Sequence, residues 1–107
     1  MIKATLYHNK NGDVYGFNVQ YHGEAIVCAG VSALVITCVN FIQANFALET
    51  SLDVKDAEHI SFKISALKAG QRNHDASLII KNMVFGLRQI EEAYPDNICI
   101  YTKSTLK

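Results

Sequence analysis

The sequence predicts an α+β domain in which two helices pack against one mainly antiparallel sheet. Short stretches with period-two alternation, typical of half-buried strands, lie at both ends of the chain and in its middle. Two longer segments between them carry apolar residues at helical spacing. The resulting order is β-β-α-β-β-α-β, and 107 residues suffice for a single domain, residues 1–107, with one modest core.

The first two strands are predicted to form a hairpin. Residues 2–8, IKATLYH, alternate apolar and polar side chains, and so do residues 14–21, VYGFNVQY. Between them Asn11 and Gly12 favour a tight turn, because both tolerate a positive φ. The hairpin therefore ends at His22.

A long apolar helix is predicted from about Ala25 to Asn45. Its apolar positions nearly surround it, so we expect the helix to lie close to the centre of the domain. The uncharged run from Ala25 to Ile42 is long enough to raise the question of a membrane span. Because the run contains polar residues and belongs to a small mixed domain, we interpret it as a buried helix and expect no membrane partner.

The second half of the chain is predicted to contain a hairpin, a helix and a last strand. Alternation in residues 60–64 indicates a strand, and residues 52–54 hint at its partner. A polar, turn-like segment, residues 68–75, follows, with Asn73 or Asp75 available as the helix N-cap. The apolar positions of the second helix run from Leu78 to Tyr94 at helical spacing, Pro95 ends the helix, and "NICIYTK" closes the sheet.

Composition limits the classes of function. Ten basic and ten acidic side chains cancel, so we expect no direct nucleic-acid partner, although local basic patches remain possible. The first residues lack a signal-peptide pattern, which favours a cytoplasmic location. Three cysteines without a CxxC pair or a matching histidine spacing predict no disulfide framework and no metal site, and no motif calls for a cofactor.

The most informative feature is a histidine six residues before a cysteine. If the first helix begins near Glu24 or Ala25, Cys28 lies in its first turn, where free N–H groups and the helix dipole favour a thiolate. A nearby imidazolium favours the thiolate further, so His22 and Cys28 have the arrangement that a cysteine nucleophile needs. The alternative is a solvated loop histidine and a small core cysteine, which is how we interpret Cys38 and Cys99.

Three motifs then resemble the bacterial ribosomal-processing cysteine proteases over nearly the whole chain. They are the hairpin ending in histidine, "IVCAGVSAL" opening a helix, and "NMVFGLRQIEEAYPDNI" before the last strand. The resemblance implies a cytoplasmic, homodimeric cysteine endopeptidase. Its expected substrate is the precursor of a large-subunit ribosomal protein, from which it removes an N-terminal extension. Cys28 matches the nucleophile of the family, and His22 matches its histidine, which serves as base and acid.

The chain departs from the family around this pair. The family reads G-H-A where this chain has Tyr21-His22-Gly23, its loop before the cysteine is longer than "GEAIV", and it has an acidic residue where Ala25 stands. These departures leave open a different class of function. The alternative is a non-catalytic, ribosome-associated or self-associating homologue that has lost turnover.

Four nearby residues are further candidates, and three of them have both a functional and a structural interpretation. Ser32 matches the family motif and either steadies the thiolate or bonds the carbonyl four residues back. Glu24 either replaces the missing acidic residue or favours the helix N-terminus through the dipole. Gly23 allows a sharp turn from strand to helix. Gly30 either admits a substrate backbone or is a tolerated small residue.

Overall fold

Five strands and three helices make up the computed structural model, which describes residues 1–55 and 59–104. The fold class and the order of the predicted elements are confirmed, with one short helix in addition. The elements are β1 (Ile2–His8), β2 (Val14–Gln20), α1 (Ala25–Asn45), β3 (Thr50–Val54), β4 (His59–Ile64), α2 (Ser65–Lys68), α3 (His74–Ala93) and β5 (Ile98–Ser104).

The sheet has the strand order β3-β4-β2-β1-β5 and is mainly antiparallel. Only the pair of β1 with β5 is parallel, among the strands that the structure describes. Lys3 lies opposite Gln20, and Ile2 lies opposite Ile98, so the end of β2 and the starts of β1 and β5 share one edge of the sheet. This edge also receives the start of α1, because only a short turn separates β2 from α1.

The core lies between the sheet and the helices α1 and α3. Val31, Val35 and Ile42 of α1 and Ile80 and Leu87 of α3 are fully buried, because the apolar side chains of both helices recur at i, i+3 and i+4 and form a continuous stripe. The strands contribute the alternate residues of the period-two pattern.

The expected central position of the first helix is wrong. Ile26 of α1 is 72% exposed, and Ile36 and Phe41 are each 46% exposed. By length and composition α1 could cross a membrane, but its buried third packs on the sheet as in a two-layer domain. The packing of the single chain therefore leaves the apolar outer face of α1 exposed to solvent.

The segment between β4 and α3 differs most from expectation. Ser65, which directly follows the predicted strand, begins the short helix α2, because the fully buried Leu67 anchors this turn in the core. The predicted cap is confirmed at one of its two candidates: Asn73 accepts a hydrogen bond from the Ala76 N–H at 3.0 Å. Gly12 has the positive φ, 83°, that the first hairpin required.

Candidate active site

Cys28 lies at the edge of the sheet where β2 leads into α1. The helix begins at Ala25, so Cys28 is its fourth residue, and the Cys28 N–H makes the first intrahelical bond to the Glu24 carbonyl at 2.9 Å. The N–H groups just before it have no intrahelical partner, as in any helix. Cys28 is half-buried and packs against the core, and its Sγ donates to the Gly23 carbonyl oxygen at 3.5 Å.

His22 stands at the same turn but is not bonded to the cysteine. Its side chain is exposed, and no hydrogen bond joins it to Cys28 within residues 1–55 and 59–104. The carbonyl that accepts from the Cys28 thiol belongs to Gly23, the residue directly after His22. Because no packing fixes an exposed imidazole, its rotamer is free to change on binding a substrate. The structure thus brings the two residues to one turn without forming the predicted pair.

The turn itself is held by Asn97, which precedes β5. Its Oδ1 accepts from the Glu24 N–H at 3.1 Å, and its Nδ2 donates to Glu24 Oε2 at 3.4 Å. The described contacts of the Glu24 carboxylate are therefore with Asn97 and not with His22, and the side chain makes no cap bond within α1. Sequence reasoning missed Asn97, whose only signal was its place in the closing "YPDNI" motif.

Close packing favours a small residue at Gly23. It is not among the glycines with positive φ in the described chain. A Cβ at this position would instead lie 3.1 Å from Ile2 Cγ1 and 3.3 Å from the Asn97 carbonyl oxygen. Gly23 therefore lets the turn approach the starts of β1 and β5 closely.

Tyr21 and Ser32 form the buried side of the site. Tyr21 is only 8% exposed, and no hydrogen bond of good geometry reaches its hydroxyl among the residues that the structure describes. Burial raises the pKa of the Tyr21 hydroxyl, the nearby Ser32 hydroxyl lowers that pKa, and the charge of Cys28 raises it. Ser32 is half-buried one helical turn after Cys28, so the three side chains occupy one region.

Of the other two cysteines, Cys38 lies in the core as predicted, whereas Cys99, also predicted as a core residue, does not belong to the core cluster. Cys38 is 4% exposed, and burial raises the pKa of its thiol to about 12, so it stays protonated at neutral pH. Cys99 is half-buried in β5. The described part of the chain contains no cluster of three or more His, Cys, Asp or Glu side chains that could hold a metal ion.

A separate groove of about 500 Å³ runs between α1 and α3. It is lined mainly by apolar side chains, among them Leu34, Phe41, Leu78 and Met83, and Cys28 does not line it. This groove is therefore distinct from the candidate site at the start of α1.

Comparison with known proteins decides the family. The family model described as cysteine protease Prp matches residues 1–99. The chain belongs to the Prp family of cysteine proteases, which are hydrolases. It is 30% identical to the ribosomal processing cysteine protease Prp of Bacillus subtilis (strain 168), over 95% of this chain and 97% of that protein. The resemblance seen in the sequence motifs is thereby confirmed.

Solved structures of Prp from S. aureus have the same fold. A complex with a covalently linked product peptide aligns with a TM-score of 0.86 at 30% identity, and a complex with a substrate peptide aligns with a TM-score of 0.84 at 29% identity. Each alignment covers 96% of this chain and the whole of the other. The chain is thus similar along its length to a protease that was captured with peptides.

Proposed function

We propose that this chain is an endopeptidase that removes the N-terminal extension of a large-subunit ribosomal protein, with Cys28 as nucleophile and His22 as base and acid. The observation that carries the proposal is the place of Cys28: half-buried in the first turn of α1, at the turn that also bears His22. The names of the similar proteins support the substrate class, since they are ribosomal processing proteases.

The proposed reaction begins at the hydrogen bond between Cys28 and Gly23. The thiol proton, now directed at the Gly23 carbonyl, passes to His22 when the exposed imidazole turns toward the sulfur. The thiolate attacks the scissile carbonyl, and the N–H groups at the start of α1 stabilise the oxyanion. His22 gives its proton to the leaving amine, and water then releases the acyl group from Cys28.

The same proposal covers location and assembly. We place the protein in the cytoplasm as a homodimer that needs no cofactor, no nucleic acid and no membrane. Exposed apolar side chains on the outer faces of α1 and α3 support the dimer, because a second copy would remove them from water. They include Ile26, Phe41, Leu78 and Phe85.

A second candidate is a homologue without turnover. It is favoured by the absence of a bond between His22 and Cys28 in the described structure and by the short "GEAIV" segment between them. In that case the fold serves association with the ribosome or with a second copy.

The two candidates differ in one assay. The host precursor of the ribosomal protein is incubated with the wild-type protein, with Cys28→Ala and with Cys99→Ala, and the products are identified by intact-mass spectrometry. The protease proposal predicts one new N-terminus with the wild type and with Cys99→Ala, and none with Cys28→Ala. An uncut precursor in all three reactions supports the second candidate.

A further inference from the structure

The hydroxyl of Tyr21 is the one polar side-chain group at this turn that packing does not explain. Its oxygen is shielded from solvent, and no hydrogen bond of good geometry to it is recorded in the described residues. A hydroxyl removed from water without a partner destabilises the folded state, whereas phenylalanine would fill the same space without this cost. A buried hydroxyl of this kind calls for an explanation from function.

The surroundings of this hydroxyl point to the reacting cysteine. Tyr21 directly precedes His22, and its ring belongs to the core cluster against which Cys28 packs. Cys28 and Ser32 are separated by four residues and therefore lie on one face of α1. Burial has the largest effect on the pKa of the Tyr21 hydroxyl. The Ser32 hydroxyl, which lowers this pKa, and the charge of Cys28, which raises it, have the next largest effects. The phenol thus reaches the helix face that carries the sulfur.

We propose that Tyr21 is a positioning residue of the Cys28 site, whose hydroxyl donates to Ser32 so that the Ser32 hydroxyl donates to the Cys28 thiolate. The inference rests on the proposed function, because it assumes that Cys28 reacts as a thiolate. In the resting thiol, Sγ donates to the Gly23 carbonyl at 3.5 Å. Once the proton has left, sulfur and carbonyl oxygen repel each other, and the sulfur requires donors.

His22 is exposed and Tyr21 is buried, so in this proposal the imidazole acts on the sulfur from the solvent side and the Tyr21 and Ser32 hydroxyls act from the core side. Tyr21 and Ser32 therefore already lie beside the Cys28 site before substrate binds, while the imidazole must turn inward. In this proposal Tyr21 contributes to stabilising the thiolate. The family has glycine at this position, so the contribution is a feature of this chain. The hydrogen bond to Ser32 also gives the buried hydroxyl a partner in the reactive state.

The test measures how fast iodoacetamide alkylates Cys28 in wild type and in Tyr21→Phe, between roughly pH 5 and 10, with the modified peptide quantified by mass spectrometry. Without the Tyr21 hydroxyl, Ser32 loses the donor that strengthens its own hydrogen bond to the thiolate, which lowers the rate at pH 7 by on the order of 2- to 10-fold and moves the profile to higher pH. The limiting rate at high pH does not fall, because the sulfur is then fully ionised and a thiolate of higher pKa is at least as nucleophilic. An unchanged profile in Tyr21→Phe overturns the proposal.

Tyr15→Phe is the matched control. Tyr15 is equally buried, at 3% exposed, and lies on β2, but neither Cys28 nor Ser32 acts on its hydroxyl. This variant is expected to alkylate as the wild type does. A shift as large as that of Tyr21→Phe would mean that any lost buried phenol changes the site, which also overturns the proposal.

Two further measurements keep the result decisive. If Tyr21→Phe does not fold, Ser32→Ala carries the test: a shifted profile supports the pair, and a wild-type profile overturns it. Alkylation needs no precursor, so the proposed function is judged separately. A wild-type protein that leaves the precursor intact while Tyr21→Phe still shifts the profile refutes the protease and leaves the role of Tyr21 standing.

Discussion

Replacing Asn97 by alanine tests how the start of α1 is held to the sheet. The side chain of Asn97 makes two hydrogen bonds to Glu24, at 3.1 and 3.4 Å. The backbone of Asn97 makes two others, accepting from Ile2 at 2.7 Å and donating to Tyr94 at 2.9 Å. The backbone bonds survive the substitution, so Asn97→Ala removes the connection to Glu24 alone.

The expected magnitude follows from these two bonds. The bond from the Glu24 N–H contributes about 1 kcal/mol, and the longer, exposed bond to the carboxylate contributes about half as much. The free energy of unfolding should fall by about 1.5 kcal/mol, which for a domain of this size lowers Tm by about 7 °C. Because the turn bearing His22 loses its anchor, kcat/KM for the precursor should fall by on the order of 10-fold.

Two variants control the measurement, which combines thermal unfolding with precursor cleavage. Asp96→Ala changes the exposed neighbour and should cost less than about 0.5 kcal/mol. Asn97→Asp keeps an acceptor for the Glu24 N–H but places two carboxylates together, so it should be destabilised at pH 7 and recover toward about pH 4. The reasoning is refuted if Asn97→Ala melts and cleaves as Asp96→Ala does.

Three other predictions follow from the structure. Cys28 should be the only cysteine that iodoacetamide modifies rapidly at neutral pH in the native protein, since Cys38 is buried with a thiol pKa of about 12; labelling of Cys38 or Cys99 at an equal rate on peptide maps would contradict this. Gly30→Ala should raise the free energy of unfolding by about 0.5 to 1 kcal/mol, because glycine is unfavourable within a helix. The added Cβ would lie 3.5 Å from Ile90 Cδ1, which is an ordinary contact. Chemical denaturation measures this free energy, and a destabilised variant would contradict the prediction. Light scattering at roughly tens of micromolar should give the mass of a dimer, and a monomer would refute the assigned role of the exposed apolar faces.

The elements that the sequence predicted well are those whose signal is local. The first strand and the first helix have the predicted bounds, 2–8 and 25–45, because each carries an unbroken period of its own. The short helix α2 has only four residues and depends on the burial of Leu67, so no periodicity in the sequence indicated it.

Within the site, local spacing placed Cys28 in the first turn of α1, as the structure confirms. Asn97 was missed because its bonds to Glu24 span 73 residues and exist only when β5 pairs in parallel with β1. In the sequence, Tyr21 was the last residue of an alternating segment and a departure from the family pattern. Its significance depends on which way its ring points after β2 ends, and that direction follows from packing against α1.

The most direct test of the Cys28 and His22 pair is the cleavage rate of the precursor by His22→Ala. Loss of the imidazole removes both the base and the acid, so kcat/KM should fall by on the order of 10² to 10⁴. Because His22 is exposed, the free energy of unfolding should change by less than about 1 kcal/mol. A folded His22→Ala variant that cleaves the precursor as fast as the wild type would contradict the account.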